Sequence, residues 1–248
     1  LAEKHSKKVN DLSKKPVIRP EQKEVTYSSA RWENLQQLRK RSLQVMKKLE
    51  NSHLQATVHG SIARGDVTKT SDIDIFISNP ISSFSVETAL ERSGFQVLER
   101  KIIQATPLYA LKAYIELESQ TSVSFPLVKM RQVEKEFYRF GGEVTVSVLE
   151  KNKRVLGVDK RLMLIEPTSE GHVETTVINK EREVAKLLAI STNTVLDRVR
   201  ALLRRDKVGR TGVYIEKELN SEETFEEAMK KLADNNPAVR RRIKFFKK

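Results

Sequence analysis

His59-Gly60-Ser61-Ile62-Ala63-Arg64-Gly65-Asp66-Val67-Thr68-Lys69-Thr70-Ser71-Asp72-Ile73-Asp74-Ile75-Phe76-Ile77 is the stretch that decides the fold. Residues 72–77 alternate strictly, so a strand there places Ile73, Ile75 and Ile77 on one face and Asp72, Asp74 and Phe76 on the other. Carboxylates at i and i+2 lie roughly 7 Å apart along the chain and point the same way, so their oxygens converge on divalent cations about 3.5 to 4 Å apart. Cations so held bridge triphosphate oxygens, align an in-line attack and neutralise charge on a departing pyrophosphate. Gly60 permits close approach of backbone to phosphate, Ser61 adds a hydroxyl donor at the start of a helical turn, and Arg64 brings positive charge. A Gly-Ser pair or an Asp-x-Asp taken singly is ordinarily a solvated turn. Here the acids sit in an isoleucine-alternating strand whose other face must be buried, and the combination is far more specific.

With the preceding helix and strand in the same order, residues 59–77 resemble without a gap the nucleotidyltransferase signature of the DNA polymerase beta superfamily, Gly-Ser followed by Asp-x-Asp. The resemblance implies an α+β domain, a mixed sheet with helices packed against it. It implies transfer of a nucleoside monophosphate from a nucleoside triphosphate to a hydroxyl, with loss of pyrophosphate. By that resemblance Gly60 and Ser61, with Arg64 beside them, bind nucleotide, and Asp72 and Asp74 are the catalytic ligands of Mg2+ or Mn2+. Such domains carry a third acid on a later neighbouring strand, ahead of an apolar-polar-Phe run. Thr121-Ser122-Val123-Ser124-Phe125-Pro126-Leu127 resembles that run, but Ser122 stands where Asp is expected. Glu116 and Glu118 share one face of the preceding predicted strand; Glu116 is taken as the third catalytic and metal-binding acid, against the ordinary alternative of a solvated strand face. Without a third acid the attacking hydroxyl lacks its usual base, and a nucleic-acid-binding regulator with a catalytically impaired nucleotide sensor is the alternative function.

Upstream of this segment, residues 1–28 carry scattered lysines without sustained period and read as a basic flexible tail. Trp32, Leu35, Leu38, Leu43, Val45, Met46 and Leu49 then recur at spacings near three and four, which predicts an amphipathic helix ending at Asn51-Ser52, followed by a strand over 54–58. Downstream, a helix is predicted over 86–92 and strands over 95–103, 108–118 and 121–127, with Ser119-Gln120 closing a hairpin between the last two. A helix over 132–139 ends at Gly141-Gly142, taken as a domain border. The nucleotidyltransferase domain is thus placed at 29–140 and an extended connecting segment at 141–170.

Residues 171–248 resemble a small winged helix-turn-helix domain with a basic C-terminal tail: a helix over 182–190, a polar break at Ser191-Thr192-Asn193-Thr194, a second helix over 195–205 and a basic hairpin over 208–218. Val184, Leu187, Leu188, Val195, Val199, Leu202 and Leu203 are its candidate core. Ser191, Asn193, Thr194 and Arg198 on the recognition helix and Arg210 at the wing tip are the candidate nucleic-acid contacts, with DNA as the expected partner and structured RNA the second. A protein-docking module with a solvated basic face is the alternative. The run from Arg240 to Lys248 adds phosphate affinity without sequence information.

Composition agrees with a polyanionic partner: Lys plus Arg outnumber Asp plus Glu 46 to 33, for a net charge of +13 over 248 residues. The absence of Cys excludes disulfides, thiolate zinc sites and a cysteine nucleophile, and four scattered His give no metal-binding spacing. Of these, His59 is nearest the chemistry and is read as structural. Trp32 and Tyr138 are read as packing residues. No stretch approaches the roughly 18 apolar residues of a membrane span, so a soluble cytoplasmic protein is expected. The whole architecture resembles that of archaeal predicted nucleotidyltransferases, and the Lys-, Arg- and Glu-rich composition is compatible with a thermophile.

Overall fold

The computed structural model describes residues 19–79, 82–209 and 211–245. Its first long helix, α1 (Ser29–Asn51), starts where the Ser28 hydroxyl accepts from the Arg31 amide, and it buries Leu35, Val45, Met46 and Leu49 along one stripe. The chain continues through β2 (Ala56–His59), the single turn α2 (Ser61–Arg64), β3 (Ile73–Ile77), α3 (Ser83–Arg92), β4 (Val97–Gln104), β5 (Lys112–Leu117) and β6 (Thr121–Pro126) to α4 (Gln132–Gly141). The β5–β6 hairpin closes as expected. Ser119 and Gln120 both adopt positive φ there, at 60° and 52°, without a glycine.

These strands, with β7 (Glu143–Thr145) and β11 (Ile215–Glu218), belong to a mixed sheet in the order β11-β4-β5-β6-β3-β2-β7, in which β3 and β6 run parallel and the other pairs antiparallel. The isoleucine alternation of β3 does what its period requires. Ile73, Ile75 and Ile77 are buried in the main core with Val123 and Phe125 of β6, under α1 and α3. On the opposite face Phe76 stacks on Tyr138 of α4 at 3.6 Å between ring centroids, so that α4 covers the far end of β3 and leaves Asp74 at the uncovered end.

Four differences from the sequence reading concern segments whose partners lie far along the chain. Within the segment read as a tail, residues 1–18 lie outside the described residues, whereas Gln22–Thr26 form β1, which pairs with β10 (Gly171–Thr176). The Gly141-Gly142 stop ends α4 but is no border, because β7 (Glu143–Thr145) pairs with β2 in the main sheet and α5 (Val146–Glu150) packs on α1. Residues 141–170 are not a bare connector: β8 (Gly157–Val158) and β9 (Met163–Thr168) join β10 and β1 in a second, four-stranded antiparallel sheet. Among its described residues the predicted wing forms no hairpin of its own. Residues 215–218 form β11, which pairs with β4 at the edge of the main sheet.

The two helices read as a helix-turn-helix are present as α6 (Glu181–Leu187) and α7 (Thr192–Val208). They share a core with Phe140 of α4, with Val158 and Leu164 of the second sheet and with Leu162 in the turn between β8 and β9, and of the expected core residues only Leu187 is exposed. The last helices, α8 (Phe225–Asn235) and α9 (Pro237–Phe245), return to the main core, where Phe225, Ala228 and Val239 are fully buried. Arg242, read as part of a phosphate-binding tail, is instead buried and donates to the carbonyls of Leu108 and Lys129. Among the described residues no helix is long and apolar enough to cross a membrane.

Candidate active site

β2 delivers the chain into Gly60, whose φ of 79° and ψ of −142° suit only glycine, and whose amide donates to the Gly142 carbonyl at 2.9 Å. This turn starts α2, which Gly65 ends in the left-handed region at φ 102°. Ser61 Oγ donates to Ser71 Oγ at 3.3 Å, and Ser71 Oγ accepts the Thr68 amide at 2.9 Å, so the loop between α2 and β3 is tied to the glycine turn. Gly60, Ser61, Asp72 and Asp74 therefore line one cavity of about 520 Å³.

Asp72 is exposed just before β3 and Asp74 is half-buried within it. The parallel register sets Asp74 against Ser122, and the antiparallel register sets Ser122 against Glu116 and Glu116 against Glu99. A row of side chains thus crosses one face of the sheet from Asp74 outward. Ser122 Oγ donates to Asp74 Oδ1 at 3.0 Å. Glu116 is two strands removed. Burial, opposed by Lys101 and reinforced by Asp74, Glu99 and Asp72, holds its carboxyl above the ordinary range. Glu118 lies beyond the end of β5, exposed, with Arg41 at 3.4 Å. Among the described residues no group of three or more His, Asp and Glu is gathered closely enough to hold a metal ion.

Arg64 reaches the cavity wall, but its guanidinium is committed. It donates to both oxygens of Asp66 and to the Gly141 and Val158 carbonyls, which makes it a strut between α2, α4 and the second sheet. Proximity to Gly60-Ser61 in the sequence suggests a phosphate contact for Arg64, whereas its acceptors lie far along the chain, at positions 141 and 158.

The wall facing the aspartates comes from outside the predicted catalytic domain: Asp159, Lys160 and Arg161 from the turn between β8 and β9, and Arg198, Leu202 and Arg205 from α7. Helix α7 is fastened to α4 by Glu136. That carboxylate accepts from the Ser191 amide at 3.0 Å, from Ser191 Oγ at 2.6 Å and from Thr194 Oγ1. Burial alone would raise its pKa, yet the hydrogen bonds from Ser191, Thr194 and Gln132 bring it down to about 2. Tyr109 Oη adds a bond to Asp197 Oδ2 at 2.8 Å. Of the candidate nucleic-acid contacts, Ser191 and Thr194 are turned inward onto α4, Arg198 faces the cavity, Asn193 is exposed, and Arg210 lies outside the described residues. A recognition helix must present its N-terminal donors to a groove, and two of them are already used.

His59, nearest the chemistry in the sequence, packs edge-on to Tyr138 at 4.9 Å, and burial pushes its imidazole below the ordinary value against the opposing pull of Asp74. A residue beside the site without a sequence signal is Lys112. Lys112 donates to Tyr138 Oη at 2.8 Å, and burial lowers its ammonium to about 8.

A family model described as a nucleotidyltransferase domain matches residues 39–138. The match runs from within α1 into α4 and contains Gly60, Ser61, Asp72, Asp74 and Glu116. It supports nucleotidyl transfer as the general activity of this part of the chain, with a nucleoside triphosphate as substrate. The second sheet and α6 to α9 lie outside it. No curated protein matches the chain.

Proposed function

We propose that this protein is a metal-dependent nucleotidyltransferase that moves a nucleoside monophosphate from a nucleoside triphosphate to a hydroxyl acceptor. One observation carries the reading: Asp72 and Asp74 open into the same cavity as the Gly60-Ser61 turn, with Ser122 Oγ on Asp74. The donor set fits a divalent cation, Mg2+ or Mn2+, which Asp72 and Asp74 would hold. When bound, such a cation supplies charge neutralisation at the triphosphate. The chain's own residues do the remainder. The Gly60 turn admits the phosphates, Ser61 donates to them, and Ser122 leaves the other carboxylate oxygen of Asp74 turned to the cavity. The acceptor oxygen forms its bond to the α-phosphorus as the bond from that phosphorus to the bridging oxygen breaks. Pyrophosphate leaves, and the acceptor's proton passes to a carboxylate, for which Glu116, in the same row across the sheet face as Asp74, is the candidate beyond the metal-binding pair.

A net charge of +13 supports DNA, or structured RNA, as partner or acceptor, held through phosphates rather than read by a recognition helix. The second reading, a nucleotide-sensing regulator with an impaired site, is favoured by Ser122 standing in the third acid's register position. Incubation with magnesium or manganese, each labelled nucleoside triphosphate, and pools of DNA, RNA and protein separates the two. Label in one acceptor pool with matching pyrophosphate release is expected. Saturable nucleotide binding without either would establish the sensor.

A further inference from the structure

We infer that Arg198 of α7 is the cation that receives the nucleotide's β- and γ-phosphates, which makes α7 the closing wall of the nucleotide site rather than a DNA-reading helix. This rests on the nucleotidyltransferase reading of the cavity and assigns to it a residue outside the segment that matches the family.

The placement follows from helical spacing. Thr194, Arg198, Leu202 and Arg205 fall at intervals of three and four on one face of α7. Thr194 is anchored on Glu136, which fixes the azimuth of the helix, and the next three positions along that face line the cavity that holds Asp72 and Asp74. Arg198 lies with its guanidinium carbon 4.8 Å from the Phe137 ring centroid, an arrangement that holds the plane and restricts the rotamers.

Arg64 is paired with Asp66, and Arg161 with Asp159 and Glu174, but among the described residues no carboxylate forms an ion pair with Arg198. Its Nε is buried without a hydrogen-bond partner. Burial depresses the guanidinium's pKa, opposed by Tyr109 and Asp197, in keeping with a cation drawn partly out of water ahead of an anion. A planar fork of donors held across a cavity from a glycine turn and two metal-binding acids is suited to bidentate phosphate recognition, whereas the same residue on a solvated helix face would not need the aromatic shelf.

The test uses the full chain with Mg2+ and compares binding of ATP and AMP by calorimetry in the wild type, Arg198→Met and Arg198→Lys. Met keeps apolar cover over Phe137 while removing the charge, and thermal melting checks that each variant is folded. Arg198→Met is expected to weaken ATP about tenfold to a hundredfold, as loss of a charge-assisted hydrogen bond does, and AMP about threefold or less, with Arg198→Lys between. Equal losses for ATP and AMP, or none for ATP, would overturn the assignment while leaving the nucleotide site standing. A wild type that binds neither nucleotide would overturn both. Duplex DNA affinity that falls in Arg198→Met while ATP binding stays unchanged would return the residue to nucleic-acid contact and overturn the inference.

Discussion

Ser122 and Asp74 face each other across the parallel pairing of β6 and β3, and the serine hydroxyl donates to Asp74 Oδ1 at 3.0 Å. The resemblance of residues 59–77 and 121–127 to nucleotidyltransferase sequences leads one to expect a carboxylate at this place. The hydroxyl orients Asp74 but contributes no charge and is no base. Replacing it, Ser122→Asp, sets two carboxylates side by side. Without metal this like-charge contact is expected to cost about 1 to 2 kcal/mol, seen as a melting temperature lower by roughly 3 to 8 °C. Millimolar Mg2+ should recover more stability in the variant than in the wild type. Identical melting of both proteins in both buffers would show that position 122 does not share the metal-binding locus.

Asp72→Asn and Asp74→Asn test the pair itself. Both side chains lie off the isoleucine face, so each variant should fold and melt within a few degrees of wild type, while metal-dependent transfer falls about a hundredfold or more. Pyrophosphate release at constant nucleotide is the measurement. Undiminished release by both folded variants would remove the two-carboxylate mechanism.

Much of this site was legible because its determinants are local. The period of β3 fixed which residues face the core and which the cavity, the Gly60-Ser61 turn preceded it by one short loop, and the helical stripe of α1 placed the first layer. What was illegible depends on partners far along the chain. Strand β11 lies in a stretch that reads locally as a wing, yet its register is with Gln104 to Lys101 of β4. The inward turn of Ser191 and Thr194 depends on Glu136, and the commitment of Arg64 depends on carbonyls at positions 141 and 158. None of these couplings leaves a periodic trace. Alternation shows which way a side chain points, but not what it meets there.

Glu116→Gln and Glu118→Gln separate the acid within β5 from the one just beyond its end. Glu116 belongs to the row that starts at Asp74, and Glu118 pairs with Arg41 in solvent. Transfer should fall about a hundredfold in the first and stay within about twofold in the second. Because the folded-state pKa of Glu116 is raised, chiefly by burial, its charge costs stability as pH rises through that value. Glu116→Gln should therefore melt no lower than wild type at pH 7 and lose the alkaline-going rise in the rate profile. An unchanged rate would favour the sensor reading.

Glu136 gives a prediction with the opposite sign. Its carboxyl is held down to about 2 by donors from α7, so the stabilisation it gives is complete above the unfolded value near 4.5 and disappears as pH falls toward 2. Thr194→Val, which keeps volume and removes one donor, is expected to cost about 1 to 3 kcal/mol at pH 7 and less at pH 3. Denaturant melts at the two pH values are the check. A pH-independent loss would mean that α7 is held on α4 by packing alone.

Phe225→Ala tests whether the C-terminal segment is an appendage or part of the catalytic core. The ring is fully buried and meets Phe125 of β6 edge-on at 5.7 Å, on the reverse side of the sheet from Asp74. Removing a buried aromatic side chain costs about 3 to 5 kcal/mol, because the lost transfer energy and the cavity left behind add. With about 2 to 4 °C per kcal/mol for a chain of this size, melting should fall by roughly 6 to 20 °C in a single transition, and nucleotide binding should disappear over the same range. The pairing of β11 with β4 extends the argument: a chain ending at residue 209 leaves that strand edge open and exposes the sites of Leu219, Phe225 and Val239, so it should be recovered aggregated or unfolded. Residues 171–248 alone should likewise fail to give a cooperative melt, since their apolar side chains are divided between two cores completed by α4, the second sheet and the main sheet. An independent C-terminal module predicts the reverse on every count, with Phe225→Ala silent for nucleotide binding and a 209-residue chain folded and active.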